Sequence, residues 1–261
     1  MSVISYQGIK YSSTGIVNVN DKLSEERALQ ITINNEVFSI TMRTPGDDHD
    51  LVRGLLFSED IYTKNQNLIP KKEEKGESTI DNCILEIEGI KKGYSNSKNL
   101  LSSTSCGICG STQLVRPSKE TAVLNKGEVS LADLKIMYEK FQSHQGDFEQ
   151  SGGSHAAAAF DNQGQLLSIK EDVGRHNAVD KVVGNLINNG ILSQANVLLL
   201  SGRISYELVV KTFKAKIPVL AAISAPSSLA VDFAKELGIT ILGFCRENRA
   251  TCYANPFRIK T

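Results

Sequence analysis

The stretch ANVLLLSGRISYELVVKTFKAKIPVLAAISAPSSLAVDFAKELGITILGF, residues 195–244, decides the fold class. It holds three continuous apolar runs, near 197–200, 219–223 and 239–244, separated by two segments with apolar residues at helical spacing. Continuous apolar strands that alternate with amphipathic helices are typical of parallel strands covered on both faces. The sequence therefore predicts an α/β protein whose C-terminal part is a three-layer α/β domain.

The residues before this stretch extend the same domain. HAAAAFDNQGQLLSIKE, residues 155–171, predicts a β-hairpin that turns at residues 162–164 and leads into a helix. A further helix is predicted over 130–142, with Ser130 as its N-cap. The apolar residues at helical spacing are Val179, Val182, Val183 and Leu186 in the first helix, and Leu131, Leu134, Tyr138 and Phe141 in the second. We assign residues 119–261 to this C-terminal domain.

A smaller α+β domain is predicted over residues 1–100. ALQITINNEVFSITM, residues 28–42, alternates apolar and polar residues around Asn34-Asn35 and predicts a β-hairpin. A short amphipathic helix follows from Asp47, and CILEIEG predicts a strand with Cys83, Leu85 and Ile87 on one face. Residues 62–78 are polar and predict an exposed insertion. Residues 101–118 form a mobile loop in this interpretation, because Ser, Thr and Gly dominate there.

Composition and charge narrow the class of protein. Lys plus Arg and Asp plus Glu number 29 each, so no overall field attracts nucleic acid or an anionic membrane. The apolar runs are too short to span a bilayer, and the N-terminus lacks the pattern of a signal peptide. Five cysteines are an odd number and do not suggest a disulfide framework. We expect a cytoplasmic protein with reduced thiols and with neither a nucleic-acid nor a membrane partner.

Three predicted strand ends carry small residues and arginines. They read Ser201-Gly202-Arg203, SAPSS (224–228) and FCRENR (244–249). Ligands of open α/β sheets bind outside the carboxyl ends of the strands, and helix N-termini there favour anions. A phosphorylated ligand is one interpretation, while ordinary caps and surface charges are the other. No glycine-rich phosphate fingerprint decides between the two.

Histidines close to these strand ends are candidates for ligand contact. EDVGRHNAVDK, residues 171–181, places His176 one turn into a predicted helix, with Asp172 as N-cap and Asp180 and Lys181 on the solvated face. His155 follows a Gly pair that permits close backbone approach. For both histidines, ligand contact and a scaffold role remain open, whereas His49 and His144 are interpreted as structural.

Cys106 and Cys109 form a Cys-x-x-Cys pair within STSCGICGS, residues 103–111. A structural zinc site needs four ligands, and Cys245 and Cys252 are poorly spaced to complete one. A thioredoxin-type pair opens a helix after a strand, whereas glycines follow both cysteines here. A Gly-rich loop instead suits a thiol that visits two partners in turn. The pattern favours a sulfur-handling pair without a metal and leaves zinc as a weaker alternative.

The chain resembles the formate dehydrogenase accessory sulfurtransferase family (FdhD). Seven segments carry the resemblance in family order and span most of the chain. They are TPGDDHDLVRGLLFSEDI (44–61), STSCGICGS (103–111), SGGSHAAAAFD (151–161), EDVGRHNAVDKVVG (171–184), LLSGRISYELVVK (199–211), ISAPSSLAVDFA (223–234) and GFCRENRATCY (243–253). Together they are far more specific than any single motif.

The resemblance implies a sulfurtransferase with a cysteine persulfide intermediate. Such a protein accepts sulfur from a cysteine desulfurase and delivers it to the bis-molybdopterin guanine dinucleotide molybdenum cofactor, which formate dehydrogenase needs for activity. By similarity Cys106 carries the persulfide and Cys109 assists transfer. A molybdenum-cofactor chaperone that moves no sulfur is the alternative, and Cys106→Ala separates the two because a pure chaperone should keep much of its activating ability.

The resemblance also bears on the cofactor site, the fold and the assembly. Residues 244–249 match the family's cofactor-binding stretch, where a guanine nucleotide is also expected. The C-terminal domain is expected to share the cytidine deaminase fold without its zinc, since His155 lacks the Glu two residues later that deaminases use. A homodimer is expected. The expected cofactor-binding residues are His155, His176, Gly202, Arg203, Ser224, Ser227, Phe244, Cys245, Arg246, Glu247, Asn248 and Arg249.

Overall fold

A computed structural model describes residues 2–64, 68, 70–73, 80–90, 101–102, 124, 127–246 and 249–260. Its helices are α1 (Asp48–Ser58), α2 (Leu131–Gln142), α3 (Gly146–Ser151), α4 (Arg175–Asn188), α5 (Tyr206–Lys214) and α6 (Ser228–Leu237). Its strands are β1 (Val3–Ser12), β2 (Gly15–Ser24), β3 (Arg27–Ile33), β4 (Glu36–Arg43), β5 (Lys71–Glu73), β6 (Ile80–Leu85), β7 (Leu101–Ser102), β8 (Val129–Ser130), β9 (His155–Phe160), β10 (Leu166–Asp172), β11 (Val197–Leu200), β12 (Val219–Ala222), β13 (Thr240–Arg246), β14 (Arg249–Ala254) and β15 (Ile259–Lys260). Short 3-10 turns at 192–194 and 256–258 complete these elements.

A six-stranded sheet forms the centre of the C-terminal half. Its order is β10-β9-β11-β12-β13-β14, with β11, β12 and β13 parallel and the remaining pairings antiparallel. Helices α4, α5 and α6 share one core cluster with the sheet, and α2 shares a second one. The predicted alternation of strands and helices is confirmed, and so is the mixed α/β class. The likeness to the cytidine deaminase fold stays a prediction.

A second, five-stranded sheet belongs to the N-terminal half. Its order is β5-β6-β3-β4-β7, and β3 and β4 are joined by a tight turn at Asn34-Asn35. Both asparagines have positive φ, at 48° and 66°, as a two-residue hairpin turn with the right twist requires. Cys83, Leu85 and Ile87 share one buried face as predicted, and they join a core cluster with α1, although β6 itself ends at Leu85.

Helices α1 and α4 hold the two halves together by close backbone contact. A Cβ atom at Gly54 would lie 1.9 Å from the carbonyl oxygen of Asp180, and one at Gly184 would lie 1.8 Å from that of Asp50. Only glycine permits such an approach at these two positions. Helix α1 of the N-terminal half therefore packs directly on the C-terminal half. The domain boundaries near residues 100 and 118 stay a prediction.

Three predictions about side-chain positions were wrong. Asp172 does not cap α4; the N-cap is Gly174, whose backbone N–H donates to the Asp172 carboxylate at 2.8 Å. Asp180 and Lys181 are each 1% exposed, because α1 covers the face that was expected to be solvated. Leu131 is exposed at the start of α2, and Met137 takes its expected place in the core.

Other predictions are confirmed or lie outside the described residues. Ser130 caps α2 through a reciprocal capping box with Asp133, and β9 and β10 form the predicted hairpin. Part of the polar insertion forms β5, while most of residues 65–79 lie outside the described part of the chain. In the residues that are described, no helix combines the length and apolar character that a membrane crossing requires.

Candidate functional site

The three strand ends that were singled out in the sequence meet at one edge of the six-stranded sheet. The backbone N–H of Ile204 donates to the Ala225 carbonyl at 3.1 Å, and that of Ser227 donates to the Ile204 carbonyl at 2.9 Å. The Phe244 N–H donates to the Ser224 carbonyl at 3.1 Å. Backbone hydrogen bonds therefore join the segments after β11, β12 and β13 into one crevice, which we call the strand-end crevice.

Three helices begin at the strand-end crevice. The N-caps of α4, α5 and α6 are Gly174, Ser205 and Ser227. The Ser227 hydroxyl accepts a capping hydrogen bond from the Ala230 N–H at 3.3 Å, whereas the Ser205 side chain makes no capping bond to α5. The helix dipoles of α4 and α6 make this edge favourable to an anion, whereas the Glu207 carboxylate already occupies the first turn of α5.

His155 lies at the floor of the crevice. It opens β9, which runs antiparallel to β11, and a Cβ at Gly202 would lie 3.3 Å from its Nδ1 atom. The absence of a side chain at Gly202 thus lets the imidazole approach the β11 end. Burial lowers the pKa of His155, and the nearby Arg175 and Arg203 guanidinium groups lower it further, against an opposing effect of Asp172.

Arg175 is a crevice residue that was not among the expected cofactor-binding residues. It is the first residue of α4, and its Cβ atom lies 3.6 Å from a Cβ built at Gly202. Within the described part of the chain, its Nε atom is buried and has no hydrogen-bond partner. An unsatisfied buried guanidinium N–H is costly unless a ligand accepts from it. The sequence GRHN, residues 174–177, could have pointed to Arg175 as a ligand contact, but a predicted helix start accounted for these residues without a ligand.

His176 contacts α5 on the opposite side of the crevice. Its Nε2 atom lies 3.2 Å from the Ser205 hydroxyl oxygen and 3.9 Å from a Glu207 carboxylate oxygen. Burial would raise the pKa of Glu207, but its contacts with His176, its own backbone N–H and Ser205 lower it to about 2. Glu207 is therefore ionised at neutral pH and orients the His176 ring.

A pocket of 410 Å³ adjoins the crevice. It is lined by the start of α6 and by Phe244 and Tyr253, whose ring centroids lie 6.4 Å apart. Phe244 has φ of 54° and is 43% exposed, so a strained backbone holds its ring at the surface. Asp232 is a further residue that lines this pocket. The sequence did not single out Asp232 or Tyr253, because neither follows directly from a strand end.

The remaining expected residues differ in their orientation. Arg203 and Arg249 are exposed, and Arg246 donates to the Ile223 carbonyl at 2.7 Å. Cys245 points instead into the core on the α2 side, where burial raises the pKa of its thiol to about 11. Its side chain therefore does not line the crevice, since Cβ atoms alternate along a strand. Glu247 and Asn248 lie outside the described residues.

Cys106 and Cys109 also lie outside the described residues. The described cysteines Cys83, Cys245 and Cys252 form no disulfide with one another, and the first two are buried. Among the described residues, no group of three or more His, Cys, Asp and Glu side chains is arranged to hold a metal ion.

Fold and site together define an α/β protein with a cationic crevice, and an aromatic pocket beside it, at the carboxyl ends of parallel strands. The sequence model of the FdhD/NarQ family matches residues 24–260. The chain therefore belongs to the FdhD/NarQ family.

Named relatives agree with this assignment. A sulfur carrier protein FdhD from Nocardia farcinica is 37% identical over 97% of this chain and 93% of its own length. A sulfur carrier protein FdhD from Sulfolobus acidocaldarius is 39% identical over 92% of this chain and 91% of its own length. A solved structure from Desulfotalea psychrophila, described as a formate dehydrogenase accessory protein, matches all of both chains with a TM-score of 0.79. At 22% identity this likeness supports the fold alone.

Proposed function

We propose that this protein is a sulfur carrier for formate dehydrogenase maturation. It accepts persulfide sulfur from a cysteine desulfurase on Cys106 and delivers the sulfur to a bis-molybdopterin guanine dinucleotide molybdenum cofactor, its bound substrate. The observation that carries the proposal is a Cys-x-x-Cys pair in a member of a family whose curated relatives are named sulfur carrier proteins. We place this reaction in the cytoplasm, where thiols stay reduced.

Loading is a sulfur transfer between thiolates. The Cys106 thiolate attacks the terminal sulfur of the desulfurase persulfide, the S–S bond of that persulfide breaks, and the desulfurase cysteine leaves as its thiolate. The product is a persulfide on Cys106, and no external oxidant or reductant is needed. Cys83 and Cys245 are excluded from this role by burial, and the pKa of Cys245 is raised to about 11.

Release needs two electrons, because the sulfane sulfur leaves as sulfide. The Cys109 thiolate attacks the inner sulfur of the Cys106 persulfide, a disulfide between the two cysteines forms, and hydrosulfide departs. The thiol pair is thereby oxidised as the transferred sulfur is reduced. A cellular dithiol reductant then restores the pair, so Cys109 assists transfer rather than carrying sulfur.

The strand-end crevice fits the phosphates of the substrate cofactor. The unpartnered Nε atom of Arg175 provides a buried donor, and the N-termini of α4 and α6 provide backbone N–H groups. Arginine guanidinium groups suit phosphate oxygens because their donors form a fixed fork. His155 lies against the same edge, and its positive form would add a further donor. We assign the phosphates of the guanine dinucleotide to this edge.

The adjoining pocket suits the guanine base. Phe244 and Tyr253 present two aromatic rings on which a base can stack, and Asp232 presents a carboxylate. A guanine edge offers an N–H and an amino group side by side, which a carboxylate accepts together, whereas an adenine edge offers no such pair. Asp232 is therefore the residue that selects guanine in this proposal. The expected homodimer is kept as part of the proposal.

The decisive experiment follows sulfur on the intact protein. Purified protein is incubated with an active cysteine desulfurase and cysteine, and intact mass spectrometry measures the adduct before and after reduction. We expect wild type and Cys252→Ala to gain one sulfur, about 32 Da, that reductant removes. Cys106→Ala should gain none. Cys252 is the matched control because it is an exposed free cysteine in the described part of the chain.

Two outcomes would contradict the proposal. If Cys106→Ala still gains the mass of one sulfur, another cysteine carries the persulfide. No gain on wild type, with formate dehydrogenase activation retained by Cys106→Ala, would favour the cofactor chaperone.

A further inference from the structure

Gly243 on β13 lies against two residues that line the pocket beside the strand-end crevice, which we call the aromatic pocket. A Cβ atom at Gly243 would lie 2.8 Å from Pro226 Cδ and 3.0 Å from Tyr253 Cε2. Both neighbours line the aromatic pocket, whereas Gly243 is not among its lining residues. The glycine therefore lies behind two walls of the pocket, and a side chain there would have to push those walls away from β13.

Close packing, and not backbone conformation, requires a glycine at this position. The φ angle of Gly243 is outside the positive region that disfavours other residues. Gly243 lies inside a strand, where a glycine has no side chain to pack and often marks a place that another group approaches closely. At Gly243 the approaching groups are the rings of Pro226 and Tyr253.

The Pro226 wall is held in place by backbone hydrogen bonds on both sides. The N–H of Ile204 donates to the Ala225 carbonyl at 3.1 Å. The carbonyl of Ile204 accepts from the Ser227 N–H at 2.9 Å. Pro226 cannot retreat from a methyl group at Gly243 without straining these bonds, so any movement of its ring is limited.

The Tyr253 wall is fixed at its backbone, and its ring is the part that can move. The residues before and after Tyr253 pair with Leu242 and Ile241 of β13, so the sheet sets the position of its Cα atom. A methyl group at Gly243 would therefore turn the Tyr253 ring away from β13 and toward the pocket. The ring centroid lies 6.4 Å from that of Phe244, with 53° between the ring planes. Turning the ring changes the surface on which a base would stack.

We propose that Gly243 is a positioning residue that sets the shape of the aromatic pocket and thereby its affinity for a purine base. The missing side chain lets the Tyr253 ring lie close to β13 and keeps the pocket open. Gly243 touches no ligand in this assignment and acts through Pro226 and Tyr253. The inference rests on the proposed function, which assigns the guanine base to this pocket, and it adds selection by shape to the selection by hydrogen bonding at Asp232.

Gly243→Ala tests the inference with a single added methyl group. We expect the affinity for GDP to fall by about 10-fold or more, because the displaced rings no longer offer the base its stacking surface. The affinity for inorganic pyrophosphate, which has no base, should stay as in wild type, because the phosphate groups bind at the strand-end crevice. A general loss of stability would not separate the two ligands in this way.

The measurement is calorimetric titration of the full chain with GDP and with inorganic pyrophosphate, at a temperature at which circular dichroism shows the variant to be folded. Gly146→Ala is the matched control. A Cβ atom at Gly146 meets no heavy atom within 4 Å, and its φ angle is also outside the positive region. This control should bind both ligands as wild type does.

Pro226→Ala provides a second test that does not require Gly243→Ala to fold on its own. It removes the Cδ atom that lies nearest to the added methyl group. In this background Gly243→Ala should lower GDP affinity less than it does in wild type, because the two positions are coupled by contact. If the single variant does not fold, the double variant is compared with Pro226→Ala: GDP affinity should fall through the Tyr253 contact, and pyrophosphate affinity should not.

The outcomes separate this inference from the proposed function. A wild type that binds neither GDP nor pyrophosphate would overturn the nucleotide site and the role of Gly243 together. A wild type that binds GDP, with a folded Gly243→Ala that binds it equally well, would overturn the role of Gly243 alone. An equal loss of affinity for GDP and pyrophosphate would also overturn that role, because the methyl group would then disturb the whole crevice.

Discussion

At the scale of single residues, Asp232 sets the choice of base in the proposed site. Asp232→Asn keeps the size of the side chain but replaces one acceptor with a donor, which meets the guanine amino group unfavourably. We expect GDP affinity to fall by about 10- to 100-fold, since hydrogen bonds to a charged group are the strong ones. Calorimetric titration with GDP and with ADP measures the effect. Glu236→Gln, an exposed change on the same helix, should leave both affinities unchanged.

If the proposed phosphate site is correct, we expect His155 to make anion binding depend on pH. Burial and neighbouring cations lower the pKa of His155 from 6.5, so the ring is neutral at pH 7 in the free protein. A phosphate beside it favours the protonated form and raises that pKa. GDP affinity should therefore rise as pH falls from 8, by at most about tenfold per pH unit for one linked proton.

The control for this pH dependence is His155→Gln, which cannot take up the proton. The phosphate groups of GDP titrate equally with both proteins, so the difference between the two slopes isolates the residue. If GDP affinity changes with pH equally in wild type and His155→Gln, His155 does not contact the phosphate.

Some residues of the site could be predicted from the sequence, and others could not. The strand ends at Gly202, Ser224 and Phe244 were predictable, because continuous apolar runs place the carboxyl ends of parallel strands at one edge. The burial of Lys181 was not, because it depends on a helix more than 120 residues earlier in the chain. Asp232 and Tyr253 join the pocket only through the packing of α6 beside β13 and β14. A single sequence carries no pattern for such contacts.

At the scale of elements, the α1–α4 contact requires its two glycines. Gly184→Ala would place a methyl group 1.8 Å from the carbonyl oxygen of Asp50, so the helices must separate. We expect a loss of about 1–3 kcal/mol or more in the free energy of unfolding. Alanine is the better helix former, so the loss would have to come from tertiary packing.

Gly146→Ala in α3 is the matched control for this loss. A Cβ at Gly146 meets no heavy atom within 4 Å, and its φ is not in the left-handed region. Denaturant unfolding followed by circular dichroism should show this variant unchanged or slightly more stable. A Gly184→Ala protein as stable as wild type would mean that α1 and α4 can move apart freely.

At the scale of the whole molecule, a buried ion pair between α4 and β10 is hydrogen-bonded to the backbone that follows the N-terminal sheet. Lys181 Nζ lies 2.8 Å from the Asp172 carboxylate and donates to the Thr44 carbonyl at 2.9 Å. The Asp172 carboxylate in turn accepts from the Thr44 backbone N–H at 3.2 Å. Residue 44 follows β4 of the N-terminal sheet, and Asp172 ends β10 of the C-terminal sheet. Separating the two sheets would therefore take from the buried Lys181–Asp172 pair the Thr44 backbone groups that complete its hydrogen bonds.

Lys181→Met should therefore weaken both halves at once. Removing one partner leaves a buried carboxylate without its counterion, which costs about 3–5 kcal/mol. Hydrogen exchange with mass spectrometry in rising denaturant should show β3, β4 and α1 losing protection together with α4 and β10, at a lower midpoint than in wild type. Lys135→Met, which breaks an exposed 4.0 Å pair with Glu139, should shift the free energy of unfolding by less than about 1 kcal/mol. Adding Asp172→Asn to Lys181→Met should recover part of the loss, because the pair is then removed together. Loss of protection in the N-terminal sheet alone would mean that the ion pairs do not couple the halves, and the crevice would then fold without them.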